Sequence, residues 1–369
     1  MENATNNQHV TEPTCAVSVI IAMYNVEKYI GECLESLLNQ TMQDFEVILV
    51  DDCSTDFSRA VVYSFLSKFK GRLKLFKFKE NTGFPGIPRN FALGKARGKY
   101  VYFLDSDDIL TATALEELYN VAENFNAEVV HVEKFFMFND GNDKDTAKVA
   151  SFQISEFVTE PTLETSDIGE RVTRFTQFGY LWWACNKLFL RKFLVDNDIK
   201  FIPVKIFEDM LFAFKSIINA KNYVRVPFVS YYYRIREKSL SHEARDFISC
   251  LQTTIEVFRA LDNLMDTQEF FKENYQYRYK VLDFFMQIRF EVTSKNLFSD
   301  SDLHPADLFK FFREKFFASN SVVDYAALTA YLFLNAHVFK LYTMQQAEEI
   351  ENLRTQVDEL KKIILEAVR

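Results

Sequence analysis

The stretch FLDSDDIL, residues 103–110, places three carboxylates in four positions between apolar residues. It continues the apolar run YVYFL from Tyr100, so the pattern predicts a buried strand that ends in acid. Charge at the end of a buried strand is costly unless a partner compensates it. A solvated acidic turn and a metal site are the two explanations, and the surrounding sequence has to separate them.

Strand-like apolar runs alternate with helical patterns over the first hundred residues. Four short runs predict strands, the first three buried on both faces and the last at a sheet edge: AVSVII from Ala16, FEVILV from Phe45, YVYFL from Tyr100 and LKLFKF from Leu73. The intervening segments predict helices over 26–39, 58–70 and 89–96. This alternation predicts an α/β fold with a doubly wound, mostly parallel sheet.

Two acidic clusters follow predicted strands. Asp51 and Asp52 come after FEVILV, and Asp105–Asp108 come after YVYFL. In open α/β sheets, ligands bind beyond the carboxyl ends of the strands. The shared position therefore indicates a ligand site, although Asp51 and Asp52 would also suit an ordinary turn after a strand.

Composition argues against several classes of protein. The net charge of −9 disfavours a general nucleic-acid binder, because phosphate backbones attract a basic surface. The five cysteines are scattered, without a CxxC pair or a cluster with histidine, which argues against zinc and indicates a reduced, cytoplasmic protein. The polar N-terminus lacks the features of a signal peptide, so residues 1–14 are expected to form a disordered tail.

The C-terminal part of the sequence shows helical patterns. Residues 243–342 are rich in aromatic side chains and predict a helical domain. Its most apolar run, 322–342, contains Asp324, Asn335 and His337 and predicts a buried helix, with peripheral membrane contact as the alternative. Residues 343–369 carry apolar positions at 3-4-3-4 spacing and predict an amphipathic, coiled-coil-like helix. Such a helix either assembles a homo-oligomer or docks on its own chain.

The loops lack the glycine patterns that hold phosphates. AMYNVEKY follows the first predicted strand where a dinucleotide fold would have GxGxxG, and no GxxxxGK[ST] occurs. The phosphates of a bound nucleotide would therefore need a cation. Mn²⁺ or Mg²⁺ suits the DSDD sequence, because such ions combine one or two carboxylates with diphosphate oxygens.

A series of motifs in fixed order resembles the family 2 glycosyltransferases of the GT-A fold. The series is VSVIIAMYN, LLNQT, DFEVILVDDCSTD, ENTG, PRN, ARGKYVYFLDSDD and FEDMLF, and it implies a GT-A catalytic domain over residues 15–242. The resemblance implies an inverting transferase of the bacterial surface-polysaccharide type. Its donor would be a nucleotide-diphosphate sugar, usually UDP-linked, its cofactor a divalent metal, and its acceptor a glycan or lipid-linked glycan.

The resemblance also assigns residues to the donor. It implies that Asp52 contacts the nucleobase, with Ala22 and Tyr24 in the flanking segment. Arg89 would reach the nucleotide and Asn90 would fix the loop, although Arg89 would also suit a solvated helix start after proline.

The same resemblance divides the acids of DSDD. Asp107 would be the direct metal ligand and Asp105 the second, nearer the ribose. Asp108 would support the turn or accept backbone donors.

Catalysis is assigned to the FEDMLF motif. The resemblance implies that Asp209 is the base that deprotonates the acceptor hydroxyl, with Glu208 as the second choice. Acids at a helix start are also favoured by the helix dipole, which is the structural alternative.

Two further segments are candidates for substrate contact. Trp182 and Trp183 could stack on a sugar ring or belong to the core. The basic segment YYYRIREKSLSH could close over a diphosphate or form an ordinary surface turn: its members are Arg234, Arg236, Lys238 and, as an extra metal or phosphate contact, His242.

Two other functions compete with sugar transfer. A sugar nucleotidyltransferase would need a glycine-rich, basic segment near the first strand, where AMYNVEKY has neither feature. A catalytically silent scaffold would be expected to lack an acid of the DSDD or FED motifs, and both motifs are intact.

Overall fold

The computed structural model describes residues 12–142, 144–150, 157–205, 207–236 and 247–285, together with Asp358. The chain divides into two compact units, Met1–Glu243 and Ala244–Arg369. Most of the predicted N-terminal tail, Lys238, His242, the run 322–342 and, apart from Asp358, the coiled-coil-like segment lie outside the described residues.

The described part of the first unit contains one mixed sheet with helices around it. Its strands are β1 Cys15–Met23, β2 Phe45–Asp51, β3 Leu73–Lys77, β4 Gly98–Phe103, β5 Ile109–Leu110, β6 Val129–Asn139, β7 Lys148–Ala150, β8 Thr162–Leu163, β9 Lys187–Leu190 and β10 Tyr223–Ile235. Its helices are α1 Ile30–Leu38, α2 Ser58–Phe65, α3 Gly86–Leu93, α4 Ala114–Asn124, α5 Ile168–Thr176, α6 Arg191–Asp196 and α7 Glu208–Asn219.

The described part of the second unit is helical. It contains α8 Phe247–Asp266, α9 Glu269–Glu273 and a further helical stretch over residues 275–285. Arg278 in that stretch pairs with Asp262 and Asp266 of α8, which fastens the two helices together. Among the helices that the structure describes, none is both long and apolar enough to cross a membrane.

The strand order confirms the α/β prediction and refines it. The main order is β3-β2-β1-β4-β9-β6-β10-β5, with β7 beside β6 and β8 beside β10. Strands β3, β2, β1 and β4 are parallel, and β3 lies at the edge as its alternating sequence predicts. Beyond β4 the sheet is mixed, because the four-residue strand β9 runs antiparallel between β4 and β6.

The register brings the two acidic clusters to one edge of the sheet. Met23 at the end of β1 lies opposite Asp51, and Ile20 lies opposite Phe103. The pairing continues into the acids, since the Asp52 backbone nitrogen donates to the Met23 carbonyl at 2.8 Å. The predicted meeting of both clusters at the carboxyl ends of parallel strands is therefore observed.

Helix α3 begins three residues before the predicted start and ends at Leu93 instead of Ala96. Pro88 lies in its first turn, where a missing backbone N–H breaks no helical hydrogen bond. The loop before the helix is correspondingly short, and Arg89 projects from within the helix.

Strand β4 begins at Gly98 of the ARGKYVYFLD motif, where β1 approaches too closely for any side chain. A Cβ at this position would lie 2.4 Å from the backbone nitrogen of Ser18 and 2.6 Å from the carbonyl carbon of Val17. These backbone atoms of β1 cannot move aside without disturbing the strand pairing. Gly98→Ala is therefore expected to lower the free energy of unfolding by about 1–3 kcal/mol, measured by urea denaturation.

Gly31→Ala is the matched control for this prediction. A Cβ at Gly31 in α1 would make ordinary contact with Val61, at 3.7 Å. Because alanine favours a helix over glycine by roughly 0.5–1 kcal/mol, this variant is expected to be unchanged or slightly more stable. Equal losses in both variants would contradict the close-approach explanation.

Candidate active site

The Asp52 side chain anchors the ENTG loop. Its Oδ1 accepts the backbone N–H of Thr82 at 3.0 Å and its Oδ2 accepts the Thr82 hydroxyl at 2.9 Å. Its carbonyl accepts the Asn81 side chain at 3.1 Å. Ala22 at the end of β1 is half-buried and Tyr24 is exposed, so the proposed nucleobase segment is open to a ligand beside this anchored loop.

Asn25 is a member of this region that the sequence analysis did not assign. Its backbone is in the left-handed region, with φ 51°, a conformation that asparagine tolerates better than most residues. Its Oδ1 accepts the backbone N–H of Thr55 at 2.8 Å, and its own N–H donates to the Ser54 hydroxyl at 3.1 Å. Asn25 therefore ties the loop after β1 to the loop after β2. Its place directly after AMY was the available signal.

The two predicted metal ligands each pair with a different arginine. Asp105 Oδ1 lies 2.7 Å from Nη2 of Arg89, and Asp107 Oδ2 lies 2.6 Å from Nε of Arg236. Burial raises the pKa of Asp107, the positive charge of Arg236 opposes the rise, and the charge of Asp105 adds to it. The structure thus brings Arg236 of the basic segment to the DSDD loop.

Asp108 is held inside the protein. It is 1% exposed and accepts the backbone N–H of Arg234 at 2.8 Å as well as the hydroxyl of Tyr231. These contacts connect the turn after β4 to β10. Asp108 supports the turn, which is the role that the sequence analysis gave it.

Tyr29 lies beside both arginines of the basic segment and was not predicted. The guanidinium carbons of Arg234 and Arg236 each lie 5.2 Å from the centre of its ring. Its hydroxyl donates to Asp140 at 2.7 Å. The Tyr29 ring contacts both guanidinium groups, and Asp140 pairs with Arg234. These contacts hold two positive charges beside the DSDD loop.

Arg89 joins the DSDD loop to the start of α7. Its Nη1 lies 2.8 Å from Glu208 Oε1 and 3.3 Å from Asp209 Oδ1, while its Nη2 contacts Asp105. The residue is only 9% exposed. One buried guanidinium therefore brings together carboxylates that lie more than a hundred positions apart in sequence. The predicted site residues of the two motifs form a single cluster.

The carboxylates of α7 have perturbed pKa values. Burial, followed by the charge of Asp209, raises the pKa of Glu208 to about 8, although Arg89 acts in the opposite direction. Burial and then the charge of Asp105 raise the pKa of Asp209 as well, again against Arg89. A carboxylate with a pKa closer to neutrality is a stronger base. Asp209 is the more accessible of the two, with 19% of its side chain exposed against 9% for Glu208.

The segment before α7 is held in an unusual conformation. Phe207 has φ 65°, a left-handed backbone that is costly for an aromatic residue and is typically retained at functional sites. The Asn90 side chain binds the backbone of Phe201, which precedes Phe207 in this segment. It donates to the Phe201 carbonyl at 2.8 Å and accepts the Phe201 N–H at 3.0 Å. Asn90 thus links α3 to the segment that leads to the acids of α7.

An aromatic wall adjoins Asp209. Trp183 stacks on Tyr233, with the two ring centres 5.5 Å apart. It also packs on Phe135, whose ring centre lies 5.1 Å from that of Trp183. The next residue, Ala184, directs its backbone N–H to Asp209 Oδ2 at 3.5 Å. Trp183 therefore lies next to the acid that was predicted as the base, while Trp182 packs on Phe178.

The chemistry of the donor set fits a metal that arrives with a phosphate ligand. In the described ranges no group of three or more acidic, histidine or cysteine side chains could hold a metal ion by itself. Asp105 and Asp107 supply hard carboxylate oxygens at the strand end. Mg²⁺ and similar ions commonly take one or two carboxylates and complete their shell with substrate phosphates and water.

The mixed sheet, with its acids gathered at the carboxyl ends of the parallel strands, is a GT-A fold. Among solved structures, Staphylococcus aureus TarS residues 1–349 in complex with UDP-GlcNAc is similar in fold, with a TM-score of 0.57 and 23% identity. The match covers 96% of this chain and 89% of that one. The profile described as Glycosyl transferase family 2 matches residues 18–185. Residues 18–185 therefore match the family 2 glycosyltransferases, which confirms the resemblance noted in the motifs.

Two curated relatives carry more specific names. The poly(ribitol-phosphate) β-N-acetylglucosaminyltransferase TarS of Staphylococcus aureus (strain Mu50) is 32% identical over 235 residues, 63% of this chain and 37% of the relative. The poly(ribitol-phosphate) β-N-acetylglucosaminyltransferase TarP of Staphylococcus aureus (strain N315) is 31% identical over 212 residues, 56% of this chain and 59% of the relative. The matches span less than two thirds of these relatives' lengths.

Proposed function

We propose that this protein is an inverting glycosyltransferase of the cytoplasm that builds a cell-surface glycan. It would transfer a hexose or N-acetylhexosamine from a UDP-sugar to a hydroxyl of a glycan or lipid-linked glycan. The observation that carries the proposal is the Arg89 cluster, which joins Asp105 to Glu208 and Asp209. The names of TarS and TarP, and the UDP-GlcNAc complex of TarS, support the choice of donor and acceptor.

In the proposed mechanism Asp209 acts as the general base. Its carboxylate takes the proton of the acceptor hydroxyl while that oxygen attacks the anomeric carbon from the face opposite the diphosphate. A new glycosidic bond forms as the bond to the diphosphate oxygen breaks, and the electron pair leaves with UDP. Attack from the opposite face inverts the anomeric configuration.

The remaining residues of the site bind and orient. Arg89 fixes Glu208 and Asp209 relative to the DSDD loop. Arg236 lies beside Asp107 and provides positive charge where the diphosphate would be placed. Asp107 and Asp105 would hold Mn²⁺ or Mg²⁺, which supplies neutralisation of the charge that develops on the departing diphosphate.

A thermal-shift panel of nucleotide-diphosphate sugars tests the donor and the metal together. UDP-GlcNAc, UDP-glucose and GDP-mannose would be added with Mn²⁺, without metal, and as metal alone. A ligand that binds only the folded protein stabilises it by about 2.7 kcal/mol at a hundred times its Kd. We expect a UDP-sugar with Mn²⁺ to raise Tm most. No shift with any of these donors, with metal present, would contradict the proposed function.

Asp107→Asn is expected to remove the metal-dependent part of that shift. The amide keeps the shape of the side chain but loses the charge that attracts the cation, so the Tm with Mn²⁺ should equal the Tm without it. Asp196→Asn is the control, because Asp196 lies on α6 in an exposed pair with Lys192. A full Mn²⁺-dependent shift in Asp107→Asn would overturn the metal assignment while leaving the donor assignment intact.

A further inference from the structure

Lys187 is a fully buried cation at the first position of β9, with 0% exposure. Its ammonium donates to the Leu181 carbonyl at 2.5 Å, the Trp183 carbonyl at 2.7 Å and Asn186 Oδ1 at 2.8 Å. A protonated lysine has three N–H donors, and here each finds one acceptor. The ammonium therefore lies at the centre of the turn formed by residues 181–186.

The turn around Lys187 is the one that adjoins the proposed base. Ala184 points its N–H to Asp209 Oδ2 at 3.5 Å, and the Trp183 ring forms the aromatic wall. The other side of the turn is fixed to the sheet. The Tyr102 hydroxyl donates to the Cys185 carbonyl at 2.5 Å, and the Asn186 amide donates to the Val132 carbonyl at 2.8 Å.

Burial of an ammonium group is unfavourable unless hydrogen bonds replace its water. An apolar side chain would pack at this position with no such cost, but it would leave the carbonyls of Leu181 and Trp183 without their donor. The three hydrogen bonds of the Lys187 ammonium thus fix the shape of the turn, and an apolar side chain at this position would not fix it. On the basis of the proposed transfer function, we propose that Lys187 is a positioning residue that holds the 181–186 turn in place beside Asp209.

The charge of Lys187 also acts on the site electrostatically. Burial lowers the pKa of Lys187 to about 7, while the facing Cys185 and Asp209 act in the opposite direction. His131 of β6 is the third titratable group beside it, and the Lys187 charge contributes to lowering the pKa of His131. Burial raises the pKa of Asp209, and the Lys187 charge, like that of Arg89, opposes this rise. A neutral amine would have two N–H groups for three acceptors, so deprotonation loosens the turn.

The chain contains a direct reporter of this turn, because its two tryptophans are Trp182 and Trp183. Lys187→Met keeps the approximate volume and removes all three donors. We expect the quenching of tryptophan fluorescence by acrylamide to increase about twofold, since the turn opens locally. Lys192→Met is the control: this lysine of the adjoining α6 forms an exposed pair with Asp196, and its loss should leave quenching unchanged.

Kinetic measurements separate positioning from a general structural role. Lys187→Met is expected to lower kcat about a hundredfold while the donor KM stays within a few fold, because the displaced turn adjoins the base that acts on the acceptor hydroxyl. The acidic limb of the pH–rate profile should move to higher pH, since the charge that lowers the pKa of Asp209 is gone. Parallel losses in donor affinity and kcat without a shift of the profile would indicate a general structural role and overturn the proposal.

Wild-type protein provides a test that does not depend on the folding of a variant. Its tryptophan emission and quenching should change between pH 6 and 8.5 with a midpoint near 7 as Lys187 loses its proton. Absence of this transition, together with unchanged quenching in any folded Lys187→Met, would refute the proposal. Absence of sugar transfer by the wild type would refute the proposed function instead, and the fluorescence result would still decide the role of Lys187.

Discussion

Asp209→Asn is expected to reduce sugar transfer by about a thousandfold while UDP binding changes by no more than a few fold. The loss follows from the removal of the general base, whose contribution is typically 10²–10⁴-fold. The amide oxygen can still accept from Arg89, which lies 3.3 Å from the carboxylate, so the fold of the site should persist. Initial rates with a saturating donor, and calorimetric titration with UDP, measure the two quantities.

Glu208→Gln is the matched comparison for this prediction. It alters the neighbouring carboxylate, which is less exposed and which contacts the same guanidinium at 2.8 Å. We expect a smaller loss of transfer in Glu208→Gln than in Asp209→Asn. The reverse order would assign the base to Glu208, and a large loss of UDP affinity in Asp209→Asn would argue against a base at that position.

The pH dependence of the wild type belongs to the same prediction. Transfer requires ionised Asp209, so the rate should fall as the pH decreases through its pKa. Because burial raises that pKa, the acidic limb is expected above 3.8, the ordinary value for aspartate.

Arg89→Met is expected to remove transfer and to lower the free energy of unfolding by about 3–5 kcal/mol at pH 8. The substitution leaves Asp105, Glu208 and Asp209 without the buried cation that all three contact. Urea denaturation monitored by circular dichroism measures the loss. Lys200→Met is the control, since its pair with Asp198 is largely exposed and such pairs contribute at most about 1 kcal/mol.

The difference between Arg89→Met and the wild type should shrink on acidification. Arg89 lowers the pKa values of Glu208 and Asp209, so its removal raises them further. Acids whose pKa is raised in the folded state bind protons there first, and the variant therefore gains stability relative to the wild type as the pH falls. A difference that does not vary with pH would show that lost packing, and not the ion pairs, causes the destabilisation.

The local patterns of the sequence predicted the parallel part of the sheet well, for a physical reason. Strands buried on both faces leave continuous apolar runs, and ligand-binding acids follow them directly, as at Asp52 and Asp105. These signals lie within one segment of chain. The start of α3 was misplaced because Pro88, expected before the helix, lies inside its first turn.

Interactions between distant segments were beyond such patterns. Arg89 was predicted to reach the nucleotide, and no feature of PRN shows that its side chain pairs with acids 119 and 120 positions later. Lys187 reads as an ordinary polar residue before an apolar strand, yet it is the centre of a turn. Both roles depend on how the sheet is assembled, which a single-segment pattern does not encode.

The short strand β9 has a consequence for the order of folding. It hydrogen-bonds to β4 on one side and to β6 on the other, through Tyr100–Leu190 and Val130–Leu188 pairs among others. The parallel strands β1–β4 come early in the chain, but they can join β6 only after residues 187–190 have been synthesised. Until then β4 and β6 expose unpaired edges, which are sites of association between chains. A nascent chain that ends before β9 is therefore expected to be more prone to aggregation than one that includes it.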